Sequence, residues 1–188
     1  MKTAYIDTNV VVSFVKPNDP YYLSARRILT ERIVQNISST LFLIELKSVI
    51  SREFTAFFGN LSLEFREMTG RLDEIEKIEL FYQHILQSII IDIMDDVSVE
   101  IHDSSYYSGQ IPASYAKILR VSGKTRLKTL DNLHIAHLIL LKENLGVPID
   151  YLITGDQGIL ARKSDVNRIA SVTTISPTEL LSIEARSG

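Results

Sequence analysis

Short apolar runs alternate along the chain with longer segments whose hydrophobic positions recur every three or four residues. Lys2-Thr3-Ala4-Tyr5-Ile6 is short, apolar and partly β-branched or aromatic, which predicts a buried strand. Asp7-Thr8-Asn9 ends it, because these residues favour turns and helix caps. A helix is predicted from Tyr21 to Val34 and a second strand over Ile37 to Phe42. A helix follows that strand, with Leu46, Val49 and Ile50 on its face. From Arg52 to Gln87 the pattern is helical and rich in opposite charges, and Ser88 to Met94 reads as a strand. Helices are expected over Ala113 to Arg120 and from Asp131 to Asn144, the second stopped by Asn144 and Gly146. Tyr151 to Thr154 and Ser171 to Ile175 read as short strands, with a short helix over Gly158 to Lys163 between them. Ser176-Pro177-Thr178-Glu179 then supplies a capping serine, a proline at the first helical position and a glutamate at the third.

Strands alternating with helices imply a mostly parallel sheet with helices on both faces. The pattern shows no internal repeat or linker, so residues 1–188 are expected to form one α/β domain with an enlarged helical segment near 52–90. No stretch approaches the ~20 apolar residues that cross a bilayer. Met1 to Val15 resembles a short signal core, but Asp7 and Asn9 interrupt it and no small-residue cleavage site follows. A cytoplasmic protein with no membrane partner is the expectation.

The absence of cysteine excludes a disulfide framework, Cys-ligated zinc, an iron–sulfur cluster and a cysteine nucleophile. The net charge of −3 argues against bulk electrostatic binding of nucleic acid. That average hides an asymmetry. Lys117, Arg120, Lys124, Arg126 and Lys128 give the window 104–130 a charge of +5 with no acid in it, leaving −8 for the remainder.

In open parallel sheets ligands bind beyond the carboxyl ends of the strands, near the reversal of strand order. Asp7 and Asp156 follow predicted strands, and Glu45 and Asp131 open or enter helices. Singly, such acids are often only helix caps. Glu45 and Asp131, however, sit in apolar company, where acids are seldom left without partners. Converging carboxylates repel by about 4 kcal/mol per close pair at 4 Å in an effective dielectric of 20. Cations relieve that repulsion, and oxygen-only ligands select Mg²⁺ or Mn²⁺. Such clusters suit phosphodiester hydrolysis.

Ile6-Asp7-Thr8-Asn9, Glu45, Leu130-Asp131-Asn132-Leu133-His134-Ile135-Ala136 and Ile153-Thr154-Gly155-Asp156, in this order and spacing, resemble a PIN domain over residues 1–50 and about 110–182. The resemblance implies a metal-dependent ribonuclease fold in which Asp7, Glu45, Asp131 and Asp156 form the acidic quartet. Thr8 or Asn9 would match the small polar residue beside the first aspartate, and Thr154 the threonine before the fourth acid. It further implies Mg²⁺ or Mn²⁺ as cofactor, RNA as substrate, a homodimer, and 5′-phosphate and 3′-hydroxyl products. Many relatives are toxins of toxin–antitoxin pairs, with an antitoxin protein as partner, while others process RNA. The segment 52–90 departs from the compact toxin members. A relative that keeps the pocket but serves as an RNA-binding or assembly subunit is the non-enzymatic alternative.

Other candidates carry bland readings beside functional ones. His134 follows Asp131 by three residues and is read as a packed or supporting group rather than a ligand; His137 has turned away from Asp131. Lys117 to Lys128, with Tyr106, Tyr107 and Tyr115 upstream, either grip an RNA backbone and stack its bases or form a solvated surface. Arg26 and Arg27 are weaker candidates, and Asp92, Asp95, Asp96 and Asp103 read as surface. The apolar positions of 52–90, from Phe54 to Leu80, either finish the core or make a partner surface. A haloacid-dehalogenase-type phosphatase would need an acid where Asn9 stands, a receiver domain a pair of acids at the first strand end, and a P-loop a Gly-rich run before Lys-Ser or Lys-Thr.

Overall fold

A computed structural model describes residues 1–103 and 107–186. Its core is a five-stranded sheet of β1 (Thr3–Ile6), β2 (Gln35–Ser39), β3 (Asp92–Met94), β6 (Tyr151–Ile153) and β7 (Thr173–Ile175), in the order β3-β2-β1-β6-β7. All four pairings are parallel. Each strand is 3–5 residues long, and β1 and β6 are buried throughout, as strands covered on both faces must be.

Alternation along the strands splits the core in two. Ala4, Ile6, Tyr151 and Ile153 join one apolar cluster, while Tyr5 and Leu152 join the other. The first cluster is completed by α1 (Thr8–Phe14), α2 (Tyr22–Thr30), α3 (Thr40–Gly59), α5 (Glu74–Ser88) and α10 (Pro177–Glu184). The second is completed by α6 (Ala113–Thr125), α7 (Thr129–Asn144) and α9 (Lys163–Ala170). This is the α/β architecture expected from the sequence.

Several boundaries differ from expectation for local reasons. Strand β2 stops at Ser39, whose extended backbone (φ −103°, ψ 167°) starts α3 at Thr40, so Leu41 and Phe42 are helical. Helix α3 runs on to Gly59 across a single non-helical residue, Glu53 (φ −109°, ψ 16°). The segment 52–90 is therefore the end of α3, a short α4 (Leu63–Met68) and α5, with only Asp92–Met94 pairing as a strand. Phe54, Phe57, Phe81 and Ile85 from it are buried in the first cluster, whereas Leu63, Met68 and Ile75 are exposed. The core reading of that segment holds for the buried residues. An antiparallel pair, β4 (Ser98–Asp103) and β5 (Tyr107–Pro112), was not legible in a stretch that lacks an apolar run.

Past Ile153 the chain makes α8 (Gln157–Ala161) and α9, broken at Arg162, in place of the one expected helix. The final helix starts as expected. The Ser176 hydroxyl accepts from the Glu179 N–H at 3.2 Å and the Glu179 carboxylate from the Ser176 N–H at 2.7 Å.

Candidate metal centre

The strand order reverses between β1 and β6, and there the two neighbouring carboxyl ends open a crevice. Asp7 directly follows β1, and its backbone N–H continues the ladder to the Ile153 carbonyl at 3.1 Å. Thr154, Gly155 and Asp156 leave β6 beside it. Glu45 arrives in the second turn of α3, and Asp131 in the first turn of α7. Asp7, Glu45, Asp131 and Asp156 thus line one cavity of about 200 Å³, with Thr8 and Asn9 between them. Glu53 also reaches the wall, but is paired with Lys16 at 2.7 Å. Among the described residues no lysine or arginine lines this cavity.

Asp7 stands at the N-cap position of α1, yet its side chain makes no capping bond. Instead Asp7 Oδ2 accepts from Asn9 Nδ2 at 2.7 Å and from the Thr154 hydroxyl at 2.6 Å. Asn9 Oδ1 accepts from the Gly155 N–H at 2.7 Å, and Thr154 Oγ1 accepts from the Asp156 N–H at 3.0 Å. Asn9 and Thr154 therefore lock the two strand ends together and hold the first carboxylate. Asp156 does act as a cap: its Oδ1 accepts from the Gly158 and Ile159 N–H groups at 2.7 and 3.0 Å. The capping reading of this acid is correct for one of its oxygens. These bonds leave Asp7 Oδ1 and Asp156 Oδ2 outside them.

Glu45 is anchored by a residue read from sequence as supporting. His134 Nε2 lies 2.8 Å from Glu45 Oε2 and 3.9 Å from Asp7 Oδ1. A carboxylate only accepts, so the His134 Nε2 carries the proton and donates. The ring's other nitrogen lies 3.2 Å from the Tyr5 hydroxyl, itself 2.9 Å from Ser39 Oγ. Asp7, Glu45 and His134 each bring an atom within 4.8 Å of the others, the spacing of a metal site. With its Nε2 proton committed to Glu45, His134 has no lone pair there, so the oxygens are the ligand set that fits.

Charge balance in the cavity follows from burial. Asp7 is held above the usual aspartate range, first by burial and then by the Glu45 and Asp156 carboxylates, against His134 and Thr154. Asp131 is also raised, by burial and then by Asp156 and Asp7. For Glu45 the burial penalty is outweighed by hydrogen bonding from His134 and Thr8, so its carboxyl lies below the ordinary value. For His134 burial opposes the charge, but the bond to Glu45 and the charges of Asp7, Glu45 and Asp131 raise it. Crowded, partly dehydrated carboxylates with anchored oxygens, and with no lysine or arginine among the described residues lining the cavity, fit a hard divalent cation.

The basic window divides. Arg126 and Lys128 lie on the loop between α6 and α7, in a groove of about 720 Å³ that shares Asn9, Val12, Asp131 and Asp156 with the acid cavity. Lys117 is instead engaged by Glu143 on α7, and Arg120 and Lys124 lie on α6 away from the groove. Tyr115 is exposed on α6, and Tyr106 together with the side chains of Tyr107 and Asp103 lies outside the described residues. Arg27 pairs with Glu31 at 3.1 Å. Asp96 is more than surface, since its carboxylate accepts from the Ser114 hydroxyl and N–H at the start of α6. His137 is buried away from the cavity, and among the described residues neither of its ring nitrogens has a hydrogen-bond partner. Sequence reasoning missed Arg162 and Tyr21, which also line the groove. Neither offered a signal in the sequence, since the break at Arg162 between α8 and α9 is itself visible only in the structure.

No protein-family model matches the chain, and no curated protein matches it. Among solved structures it is similar to VapBC2 from Rickettsia felis bound to a DNA fragment from their promoter, at 15% identity and a TM-score of 0.43. That likeness covers 93% of this chain and 98% of the other. The chemistry of the site rests on its own residues. Among the described residues no helix is long and apolar enough to cross a membrane.

Proposed function

We propose that this protein is a divalent-metal-dependent endoribonuclease of the PIN type, using Mg²⁺ or Mn²⁺. What supports the reading is the meeting of Asp7, Glu45, Asp131 and Asp156, from four separate segments, in one cavity at the reversal of strand order with no lysine or arginine among the described residues that line it. Asp7, Glu45, Asp131 and Asp156 would hold the metal. When bound, such an ion polarises the phosphate and acidifies the attacking water.

The protein's own groups do the positioning. Asn9 and Thr154 set the Asp7 carboxylate through one oxygen, and His134 sets Glu45 through one oxygen. In the hydrolysis, a bond forms between water oxygen and phosphorus while the bond to the 3′ oxygen breaks. That oxygen leaves with a proton, giving a 3′-hydroxyl and a 5′-phosphate. Two biological settings suit the chemistry, a toxin held by an antitoxin protein and an RNA-processing enzyme, and a homodimer suits both.

The test is end-labelled single-stranded RNA incubated with the protein and with Asp7→Asn, each in Mn²⁺ and in EDTA. Cleavage by the unaltered protein alone, abolished by EDTA, is the expected result. Equal cleavage by both proteins places the activity elsewhere, and no cleavage by either favours the RNA-binding subunit.

A further inference from the structure

Beyond the acid cavity the larger groove carries the opposite charge. Arg126, Lys128 and Arg162 line it, are exposed, and form no ion pair or side-chain hydrogen bond among the described residues. Two of its acids, Asp131 and Asp156, belong to the cavity at its end. The third, Asp19, is engaged by the Tyr21 backbone N–H at 2.8 Å. Three cations are thus gathered at the mouth of an acidic site on an acidic protein; the Lys128 charge eases that of Asp131, and none of the three forms an ion pair among the described residues.

The backbone at Arg126 is the second observation. Arg126 ends α6 in the left-handed region, at φ +56° and ψ 29°. Glycine or asparagine suits that position best, since a Cβ there is strained. The loop is nonetheless built firmly: Asn132, buried in α7, donates to the Leu127 carbonyl at 2.9 Å and accepts from the Thr125 hydroxyl. A long cationic side chain is therefore held over the groove where a glycine would fold more easily, and strain of this kind gathers at ligand clamps.

Tyr21 supplies the third. Its ring lies against the backbone of Gly155, where a Cβ would stand only 3.0 Å from Tyr21 Cδ2. The Tyr21 hydroxyl accepts from Gln157 Nε2 at 3.3 Å, which fixes the ring's edge. A fixed aromatic ring within a basic groove is the combination that holds a single nucleic-acid strand, the ring stacking a base and the cations following the phosphates.

We propose that this groove seats the single-stranded RNA flanking the scissile bond, with Arg126, Lys128 and Arg162 on its phosphates and the Tyr21 ring stacked on a base. The inference rests on the nuclease reading for the position of the scissile bond, and assigns binding residues that the acids do not supply.

Two arms keep the readings apart. The first measures binding of a fluorescent 12-nucleotide oligouridine in EDTA as a function of salt, for the full protein and for Arg126→Gly/Lys128→Ala/Arg162→Ala. Each phosphate contact to a single strand contributes about 0.7 to the slope of log K against log salt. The triple variant should flatten that slope by about 2 and weaken binding about a hundredfold at 0.1 M salt. Tyr21→Leu should weaken binding without changing the slope, and Arg126→Gly alone should melt no lower than the parent. The second arm measures Mn²⁺-dependent hydrolysis of bis(p-nitrophenyl) phosphate, a diester too small to span the groove, by the parent protein.

Unchanged affinity and slope in the triple variant overturn the groove, as does equal binding of a DNA duplex of the same length. Failure of the parent to hydrolyse the small diester overturns the nuclease reading instead, and leaves the binding arm to decide the groove.

Discussion

His134 Nε2 lies 2.8 Å from Glu45 Oε2, joining the second turn of α7 in one helical layer to a carboxylate on α3 in the other. The ring reaches across because its other nitrogen lies 3.2 Å from the hydroxyl of Tyr5, a residue of the central strand. A side chain held at both ends in this way fixes the direction from which Glu45 enters the cavity. Removing such support commonly costs 10–100-fold in metal affinity or activity. His134→Phe keeps the ring's bulk and loses both contacts, so Mn²⁺ binding by calorimetry should weaken by about that factor while circular dichroism stays native. His134→Gln, which retains a donor, should recover part of the loss. Native Mn²⁺ affinity in a folded His134→Phe protein would remove His134 from the site.

Asp7 carries the opposite liability. Its charge is buried beside Glu45 and Asp156, so its carboxyl sits above the ordinary range. The folded protein then holds that proton more tightly than the unfolded chain, and stability is lost as pH rises through the folded value. Asp7→Asn removes the penalty and keeps an oxygen to accept from Asn9 and Thr154. In EDTA at neutral pH the variant should melt higher, by about 2–4 °C for each kcal/mol relieved. The gain should shrink toward acid, and catalysis should fall about a hundredfold or more, or some 3 kcal/mol. A lower melting temperature for Asp7→Asn in EDTA would contradict the charge crowding.

His137 offers a pH-dependent test outside the acid cavity, with burial outweighing the charges of Asp96 and Asp95. It is buried, both ring nitrogens are unbonded among the described residues, and burial holds it below the ordinary imidazole value of 6.5. As pH falls through that value, the unfolded chain takes a proton that the folded chain refuses, so stability declines toward acid. An unsatisfied buried polar group costs about 1–3 kcal/mol. His137→Leu should therefore raise the melting temperature at neutral pH and raise it further below about pH 6.5. A gain that vanishes in acid would show that the ring is already bonded or hydrated.

The 52–90 segment makes a mechanical prediction. Phe81 on α5 packs 5.9 Å, centroid to centroid, from Phe57 on α3, and both are buried. Phe81→Ala should cost about 3–5 kcal/mol in urea denaturation, as other large aromatic truncations do. Leu63→Ala and Ile75→Ala, at exposed positions, should change stability by less than about 0.5 kcal/mol in the monomer. A small effect of Phe81→Ala would mean that α5 is an appendage, not part of the core.

Local chemistry made much of this protein legible from the sequence alone. The short apolar runs around Tyr5 and Leu152, the stop at Asp7-Thr8-Asn9 and the capping box at Ser176 are each decided by neighbours within a few residues. The four acids were found for the same reason, since strand ends and helix starts are local features and a parallel sheet gathers its carboxyl ends on one edge. The Ser98–Pro112 hairpin was not legible, because antiparallel pairing of a mixed polar stretch depends on the partner strand and not on a run of apolar residues. Only the tertiary structure could decide that His134 serves Glu45, that Asp156 commits one oxygen to a cap, and that Arg126 and Lys128 turn toward the acids while Lys117 turns to Glu143. The His134–Glu45 and Lys117–Glu143 contacts join residues 89 and 26 apart, and sequence spacing carries no record of such meetings in space. The Asp156 cap, by contrast, spans only two or three residues and needed the structure to choose among local alternatives.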